Sequence, residues 1–442
     1  MKSVILIICI VCTGLSSCEQ SQDWPQFGHD THHTYSTDLS VSRHLEIKWQ
    51  YQMGSFSESS PAVVGDQVYV YDCETLYCLD SETGTLTYEV PAYSECPSTP
   101  AVRDGKVYSA VQEDLFCCID AQTGSIIWEK YLSGLHWVNP LVGDTALYIT
   151  ADTFSYSDPM GIPILHCGMV PQWLTLLALN SNTGEEMWQY SVDESVYEVS
   201  GVGFPILVDD SLFFYTNYYE DEESYYINQE KSYLFCLDAH TGTLKWKKEG
   251  VLPSSLIELD SITPAWMMYY NNRIYVSMKG YVIALEAETG KKAWEYRLSK
   301  GWDAFLSCGY GMVVANGEGF VYCLDAEEGK ELWKVPINGG STMPAVTKGD
   351  TFIGSSDGTL YRVDLESGEI VWSQYVGGFL CSPVVAHGHV FVGSSNNILY
   401  CFGPSHTFFR VGLIVCAIVA VMGFLLLRKT GGPLKRFTEN NH

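Results

Sequence analysis

Leu76-Tyr77-Cys78-Leu79-Asp80-Ser81-Glu82-Thr83-Gly84-Thr85-Leu86-Thr87-Tyr88 is one copy of a pattern that recurs along the chain. An apolar residue, an aromatic, Cys or Ala, Leu and Asp lead to Thr-Gly, and an aromatic follows four residues after the Gly. Phe116-Cys117-Cys118-Ile119-Asp120 leads in the same way to Thr123-Gly124 and Trp128. Later copies end at Trp188, Trp246, Trp294, Trp333 and Trp372, and the successive steps are 40, 60, 58, 48, 39 and 39 residues. A period near 40 with several short strands per unit is the mark of a β-propeller.

The copy ending at Trp372 shows the unit. Ala345-Val346-Thr347, Thr351–Gly354, Leu360–Asp364 and Glu369–Trp372 read as four strands separated by turns at Lys348-Gly349-Asp350, Ser356-Asp357-Gly358 and Glu366-Ser367-Gly368. The strands are β-branched or aromatic, and the turns are rich in Gly, Asp and Ser. In Asp-x-x-Thr-Gly the carboxylate can accept backbone N–H groups across the turn, and Gly can take positive φ. The recurring Trp is large enough to fill the space between wedge-shaped sheets. Trp49, Trp128, Trp188, Trp246, Trp294, Trp333 and Trp372 are therefore expected to be inter-blade packing residues.

Pro383–Phe402 supplies three strands and then stops without Thr-Gly or Trp. The missing fourth strand matches Leu45–Tyr51 near the other end of the chain. An N-terminal strand completing the last blade closes the ring and removes an exposed edge. The expected fold is all-β: an eight-bladed propeller over residues 45–402, preceded by a lead-in segment at 19–44.

With these residues in view, the chain resembles the PQQ-like (quinoprotein-type) β-propeller repeat proteins. Leu-Tyr-Cys-Leu-Asp-x-x-Thr-Gly-x-x-x-Trp is similar to that family's repeat. Trp24-Pro25-Gln26-Phe27-Gly28-His29-Asp30 is similar to the segment that often precedes its first strand. The resemblance implies the fold. It leaves function open between PQQ-dependent dehydrogenases, the propeller lipoprotein of the outer-membrane barrel-assembly machine, and other surface proteins.

The ends suggest a compartment. Met1-Lys2-Ser3 and the apolar run Val4–Val11 read as a secretory signal peptide over residues 1–18. Leu15-Ser16-Ser17-Cys18 resembles a bacterial lipobox, with Cys18 the residue that would carry lipid; ordinary cleavage nearby is the alternative. Phe408–Leu427 is long enough for a transmembrane helix. The cations Arg428, Lys429, Lys435 and Arg436 follow at once, which places the tail 428–442 in the cytoplasm. The expectation is a single-pass membrane protein with its propeller outside the cytoplasm.

The net charge is −27, from 25 Lys and Arg against 52 Asp and Glu. This disfavours nucleic acid and anionic lipid surfaces as partners of the propeller and favours solubility, cations or basic partners. The chain has 15 cysteines. Cys78, Cys118, Cys236, Cys323 and Cys401 occupy the small-residue slot that Ala178 and Ala284 fill in other copies, which assigns them to packing. The resemblance raises a second reading for Cys117-Cys118, because some PQQ alcohol dehydrogenases carry an adjacent-Cys disulfide. No metal-ligand spacing appears, and His29-Asp30-Thr31-His32-His33 matches the ordinary lead-in.

Two insertions fall between second and third strands, Ala151–Trp173 in blade 3 and Asn217–Tyr233 in blade 4. They carry the candidate docking residues Trp173, Tyr218, Tyr219, Glu222, Glu223, Tyr225 and Tyr226. Exposed aromatics among acids suit a basic or peptide-like protein partner; a tolerated insertion is the plain alternative. The inter-blade loops of that face place Glu58, Glu95, Glu198, Asp260 and Asp303 near the channel mouth, with His136, Trp137 and Trp302. An acidic mouth could hold Ca²⁺ but would repel PQQ, a tricarboxylate. No catalytic or cofactor-binding residue is assigned. The expectation is a non-catalytic binding scaffold. A PQQ/Ca-dependent dehydrogenase and a ligand-sensing ectodomain are its competitors.

Overall fold

The computed structural model describes residues 22–405 apart from 56–58, 93–98, 113, 133–138, 154–172, 193–197, 220–230, 250–265, 279, 299–303, 318 and 340–341. Its strands form eight antiparallel sheets, each built from strands consecutive in sequence except the last. Blade 1 comprises Ala62–Val64, Gln67–Asp72, Thr75–Asp80 and Leu86–Pro91. Blade 2 comprises Ala101–Arg103, Lys106–Gln112, Leu115–Asp120 and Ile126–Tyr131. Blade 3 comprises Leu141–Val142, Ala146–Thr153, Trp173–Asn180 and Glu186–Ser191. Blade 4 has a divided first strand, Glu198–Val202 and Ile206–Val208, then Ser211–Tyr219, Lys231–Asp238 and Leu244–Glu249. Blade 5 comprises Trp266–Tyr270, Arg273–Met278, Tyr281–Glu286 and Lys292–Arg297. Blade 6 comprises Phe305–Gly309, Met312–Gly317, Phe320–Asp325 and Glu331–Pro336. Blade 7 comprises Ala345–Val346, Asp350–Gly354, Thr359–Asp364 and Ile370–Tyr375. Blade 8 joins Val384–Ala386, His389–Ser394 and Ile398–Pro404 to Leu45–Gln52.

First strands of neighbouring blades touch, including Ala62–Val64 with Val384–Ala386, so the ring closes with first strands innermost. Leu45–Gln52 is the outer strand of blade 8, with Trp49 opposite Cys401. The fold is the all-β, eight-bladed propeller closed by its N-terminal strand. Among the described residues no helix is long and apolar enough to cross a membrane. Residues 1–18, with Cys18, and the apolar stretch 408–427 lie outside the described residues.

The recurring motif is a device for joining blades. Asp80 Oδ1 accepts the Thr83 backbone N–H at 2.8 Å and the Thr83 hydroxyl at 2.7 Å, and Asp120 and Asp238 do the same with Thr123 and Thr241. Hydrogen bonds from the Thr hydroxyl hold these three carboxyls below their ordinary range. The turn then reaches Gly84 at φ 69°, where a Cβ would stand 2.5 Å from the ring of Trp49 in blade 8. Such a Cβ on Gly124, Gly184, Gly242, Gly329 or Gly368 would likewise strike Tyr88, Trp128, Trp188, Trp294 or Trp333 of the preceding blade. The aromatic also donates to the carbonyl next to the turn Asp. Trp49, Trp188, Trp294 and Trp333 bond Ser81, Ala239, Ala326 and Leu365 at 2.9–3.0 Å. Trp128 bonds Ser181 at 3.2 Å, and Tyr88 substitutes a hydroxyl, reaching Ala121 at 3.0 Å. Trp246 lies 3.1 Å from the Cβ position of Gly290. Blade 8 has no Thr-Gly turn, and Trp372 instead meets Phe402 edge-on.

The small slot lies directly across the ladder from this aromatic. Cys78, Cys118, Ala178, Cys236, Ala284, Cys323 and Cys401 oppose Tyr88, Trp128, Trp188, Trp246, Trp294, Trp333 and Trp49. Burial pushes the Cys117 and Cys118 thiols up to about 12 and about 11. Cys117 packs in the core between blades 1 and 2, and Cys118 in the core between blades 2 and 3. Alternation along a strand sends adjacent side chains to opposite faces.

Candidate functional site

Antiparallel alternation puts the first-to-second and third-to-fourth strand turns on one face of the ring. The second-to-third connections and inter-blade loops lie on the other. Segments 154–172 and 220–230 join second to third strands of blades 3 and 4, so both insertions emerge on the loop face.

Residues 22–37 cross the axis at the turn face and visit every blade in order. His387 of blade 8 donates its backbone N–H to Gln22. Trp24 exchanges two backbone hydrogen bonds with Val63 of blade 1, at 2.7 and 2.8 Å. Val102 of blade 2 donates to the Pro25 carbonyl, and Val142 of blade 3 to the Gln26 side chain. Leu207, Tyr269 and Cys308 of blades 4, 5 and 6 donate to Thr31, His32 and Thr34, and Val346 of blade 7 donates to Tyr35. The free edge of an inner strand carries unpaired backbone groups that must find partners. This one bent segment bonds at least one backbone group at or next to the inner strand of every blade. Trp24 and Tyr35 are 1% exposed, and they pack with Phe27 in the core shared by blades 1, 7 and 8. The lead-in is thus part of the packed body, and the channel is closed at the turn face.

His29-Asp30-Thr31-His32-His33 makes the bend of this segment. Asp30 accepts the backbone N–H of His32 and Thr34 and the Thr34 hydroxyl. Burial would raise the Asp30 carboxyl, but His29 and Thr34 hold it below its ordinary value. His33 is buried against Phe27. Among the described residues no three His, Cys, Asp or Glu side chains are grouped to hold a metal ion.

Next to this floor lie eight corresponding positions, three residues before the residue that bonds the segment on seven blades and five before His387 on blade 8. On blades 4, 5, 6 and 7 they are Phe204, Trp266, Phe305 and Met343. On blades 8, 1, 2 and 3 they are Ser382, Ser60, Thr99 and Asn139. Phe204, Trp266 and Phe305 are half-buried. Ring centroids are 5.2 Å apart for Phe27 and Phe204, 5.6 Å for Phe204 and Trp266, and 5.1 Å for Trp266 and Phe305. The polar arc is internally bonded: Thr99 N donates to Asn139 Oδ1 at 2.9 Å, and Met343 N donates to Ser382 Oγ at 3.0 Å. These positions therefore divide into an apolar, aromatic arc and a hydroxyl and amide arc. Sequence reasoning missed this ring, although its fixed offset from each inner strand carries the signal.

Glu198 was expected in an inter-blade loop, but it opens the first strand of blade 4, in register with Tyr219. The physical reason is the long second strand Ser211–Tyr219, whose ladder captures Glu198–Val202. Tyr218 pairs with Val199 and Lys231, and Trp173 pairs with Thr153. One candidate acid of the mouth and the base of the blade 4 insertion thus share one ladder. Glu58, Glu95, His136, Trp137, Asp260, Trp302, Asp303, Glu222, Glu223, Tyr225 and Tyr226 lie outside the described residues.

Fold and repeat together define a PQQ-like propeller. A family model described as outer membrane protein assembly factor BamB matches residues 41–161, 171–304 and 317–404, and the chain belongs to that family. BamB of Moranella endobia is 23% identical over 257 residues, 54% of this chain and 56% of that one. The serine/threonine-protein kinase AfsK of Streptomyces coelicolor is 25% identical over 171 residues, 33% of this chain and 20% of the kinase. The chain thus matches less than two thirds of the length of either relative. BamB from Moraxella catarrhalis superposes with TM-score 0.58 at 16% identity, covering 82% of this chain and 100% of that structure. Quinohemoprotein alcohol dehydrogenase from Comamonas testosteroni superposes with TM-score 0.66 at 15% identity, covering 87% and 81%. At these identities the structural likenesses show the fold.

Proposed function

We propose that this protein is a membrane-anchored, extracytoplasmic scaffold that binds a protein partner on its loop face and carries out no chemistry of its own. The observation that carries this reading is closure of the channel at the turn face by residues 22–37. The loop face is the opposite one, where the blade 3 and blade 4 insertions are attached and where Glu198 and Tyr219 share a ladder. The family supports it, since its name is that of an assembly factor. A net charge of −27 favours a basic partner surface. In this reading residues 45–402 with the packed lead-in form the binding domain. A signal peptide over 1–18 directs export, and Phe408–Leu427 or a lipidated Cys18 holds the protein to the membrane. The test is affinity capture by the full chain and by a variant whose residues 220–230 are replaced with a short Gly-Ser linker. Loss of the captured partner, with unchanged circular dichroism, supports the reading; unchanged capture refutes the choice of face.

A quinoprotein dehydrogenase is the second reading. The half-buried aromatic ring of Trp266 favours it, and a dehydrogenase shares the fold. Among the described residues the ring offers hydroxyls, an amide and aromatic rings but no cation, which does not fit a tricarboxylate. Calorimetric titration of the protein with PQQ, with and without Ca²⁺, decides between them. Saturable Ca²⁺-dependent heat moves the chain to the dehydrogenases.

A further inference from the structure

Each blade ends in an outer strand whose far edge pairs with no other described strand, and seven of the eight carry a protective residue. Leu86–Pro91 has Glu89 and Pro91, Ile126–Tyr131 has Glu129 and Lys130, and Glu186–Ser191 opens on Glu186. Leu244–Glu249, Lys292–Arg297, Glu331–Pro336 and Leu45–Gln52 each hold both signs of charge. Charges and Pro on an edge prevent another strand from pairing with it. Ile370–Tyr375 of blade 7, Ile-Val-Trp-Ser-Gln-Tyr, has neither. A bulge after its third-strand partner Arg362 does not set it apart, because the other outer strands carry the same irregularity. Ile370, Val371, Tyr375 and Phe379 are all exposed, the last two by about two thirds.

The edge strand is bounded by acids. Blade 7 carries two cations: Arg362, buried against Asp350, and Lys348, exposed in the first turn, whose Gly349 carbonyl accepts from Leu365. Glu366 and Glu369 are exposed at the start of the strand. Asp357 is exposed at its other end, two residues before Thr359, which pairs with Tyr375. A second copy of this chain suits the edge poorly. Antiparallel pairing turns Glu369 of each copy toward Asp357 of the other, and parallel pairing sets like acids side by side.

We propose that the outer edge of blade 7 is a strand-addition site for an extended partner segment of about six residues, apolar along its length and basic at both ends. Backbone hydrogen bonds to the free edge of Ile370–Tyr375 supply the pairing. Val371, Tyr375 and Phe379 receive apolar side chains, and the basic ends meet Glu366, Glu369 and Asp357. This site is separate from the loop-face insertions and does not depend on them.

The probe is the peptide Lys-Lys-Val-Thr-Val-Thr-Val-Lys-Lys, with a Glu-flanked counterpart, added to the full chain. Amide hydrogen exchange should slow across 370–375, and the Lys-flanked peptide should bind at least about tenfold more tightly than the Glu-flanked one. The double variant Val371→Lys with Tyr375→Lys should lose about tenfold in affinity, whereas Met187→Lys on the outer strand of blade 3 should not. Both altered positions are exposed, and unchanged exchange elsewhere verifies the fold. Protection on a different outer strand, equal binding of the two peptides, or absence of binding overturns the proposal. Self-association abolished by the same double variant overturns it in favour of a second copy.

Discussion

Arg362 Nη2 lies 2.7 Å from Asp350 Oδ2 and donates to the Val41 carbonyl at 3.1 Å, while its Nη1 reaches the Ser42 carbonyl. Arg362 occupies the slot that Cys or Ala fills in the other blades, opposite Trp372. Here the chain must leave the axis to become the outer strand of blade 8. The guanidinium satisfies the carbonyls it exposes on the way. Removing one partner of a buried, hydrogen-bonded pair leaves the other charge stranded, at a cost of about 3–5 kcal/mol. Arg362→Ala should therefore lower stability by that amount in urea unfolding, and Arg362→Cys, which restores the repeat residue, should not recover it. A loss within 1 kcal/mol would show that the clamp contributes little.

Turn glycines separate two kinds of strain. Gly329 and Gly311 both have positive φ, 69° and 78°. A Cβ on Gly329 would stand 2.5 Å from the Trp294 ring, whereas nothing lies within 4 Å of one on Gly311. Gly311→Ala should carry only the left-handed backbone cost of about 1–2 kcal/mol. Gly329→Ala should add about 1–3 kcal/mol of overpacking. Equal thermal shifts for the two variants would mean that Trp294 yields freely.

Tyr88 is the one inter-blade aromatic of the repeat that is not Trp, yet its hydroxyl finds the corresponding carbonyl, Ala121 O. Tyr88→Phe should cost about 0.5–1.5 kcal/mol, the net worth of one hydrogen bond. Tyr88→Trp should retain most of the stability, because the indole N–H serves that carbonyl in neighbouring blades. Denaturant midpoints of the two variants check this ordering.

His33 gives the axial segment a pH dependence. Burial pushes its imidazole down to about 4; the Asp30 charge pulls upward against this, and His32 pushes further down. In the unfolded chain the group titrates near 6.5. Between these values the unfolded state binds the proton and the folded state does not, so stability falls as pH drops from about 6.5 to about 4. Above 6.5 the contribution is complete. Urea midpoints at pH 7 and pH 5 should differ in that direction, and His33→Asn should flatten the difference. A wild-type midpoint that does not change across this range would place His33 in contact with water.

Leu76–Tyr88 and its copies made the blades readable because seven units repeat the same local chemistry: a turn anchored by Asp, or by Asn180 or Glu286 in its place, a Gly at positive φ and an aromatic at a fixed offset. The closing strand was readable for the same reason, since Leu45–Tyr51 fits the missing fourth-strand pattern. Glu198 was placed one element away from where it lies, because the length of a ladder depends on its partner strand and not on local pattern. The role of Trp24–Tyr35 was not readable as more than a lead-in. Its bonds reach every blade, mostly through backbone groups, to residues up to about 360 positions away, and such pairing leaves no periodicity in side chains. The aromatic arc of Phe204, Trp266 and Phe305 exists only because ring closure turns three distant strand starts toward one axis. Repeat chemistry thus determined the number, order and closure of the blades. Tertiary structure alone decided which end of the channel is shut, which residues face it and which outer edge is left unguarded, because each depends on groups that meet only when all eight blades have closed.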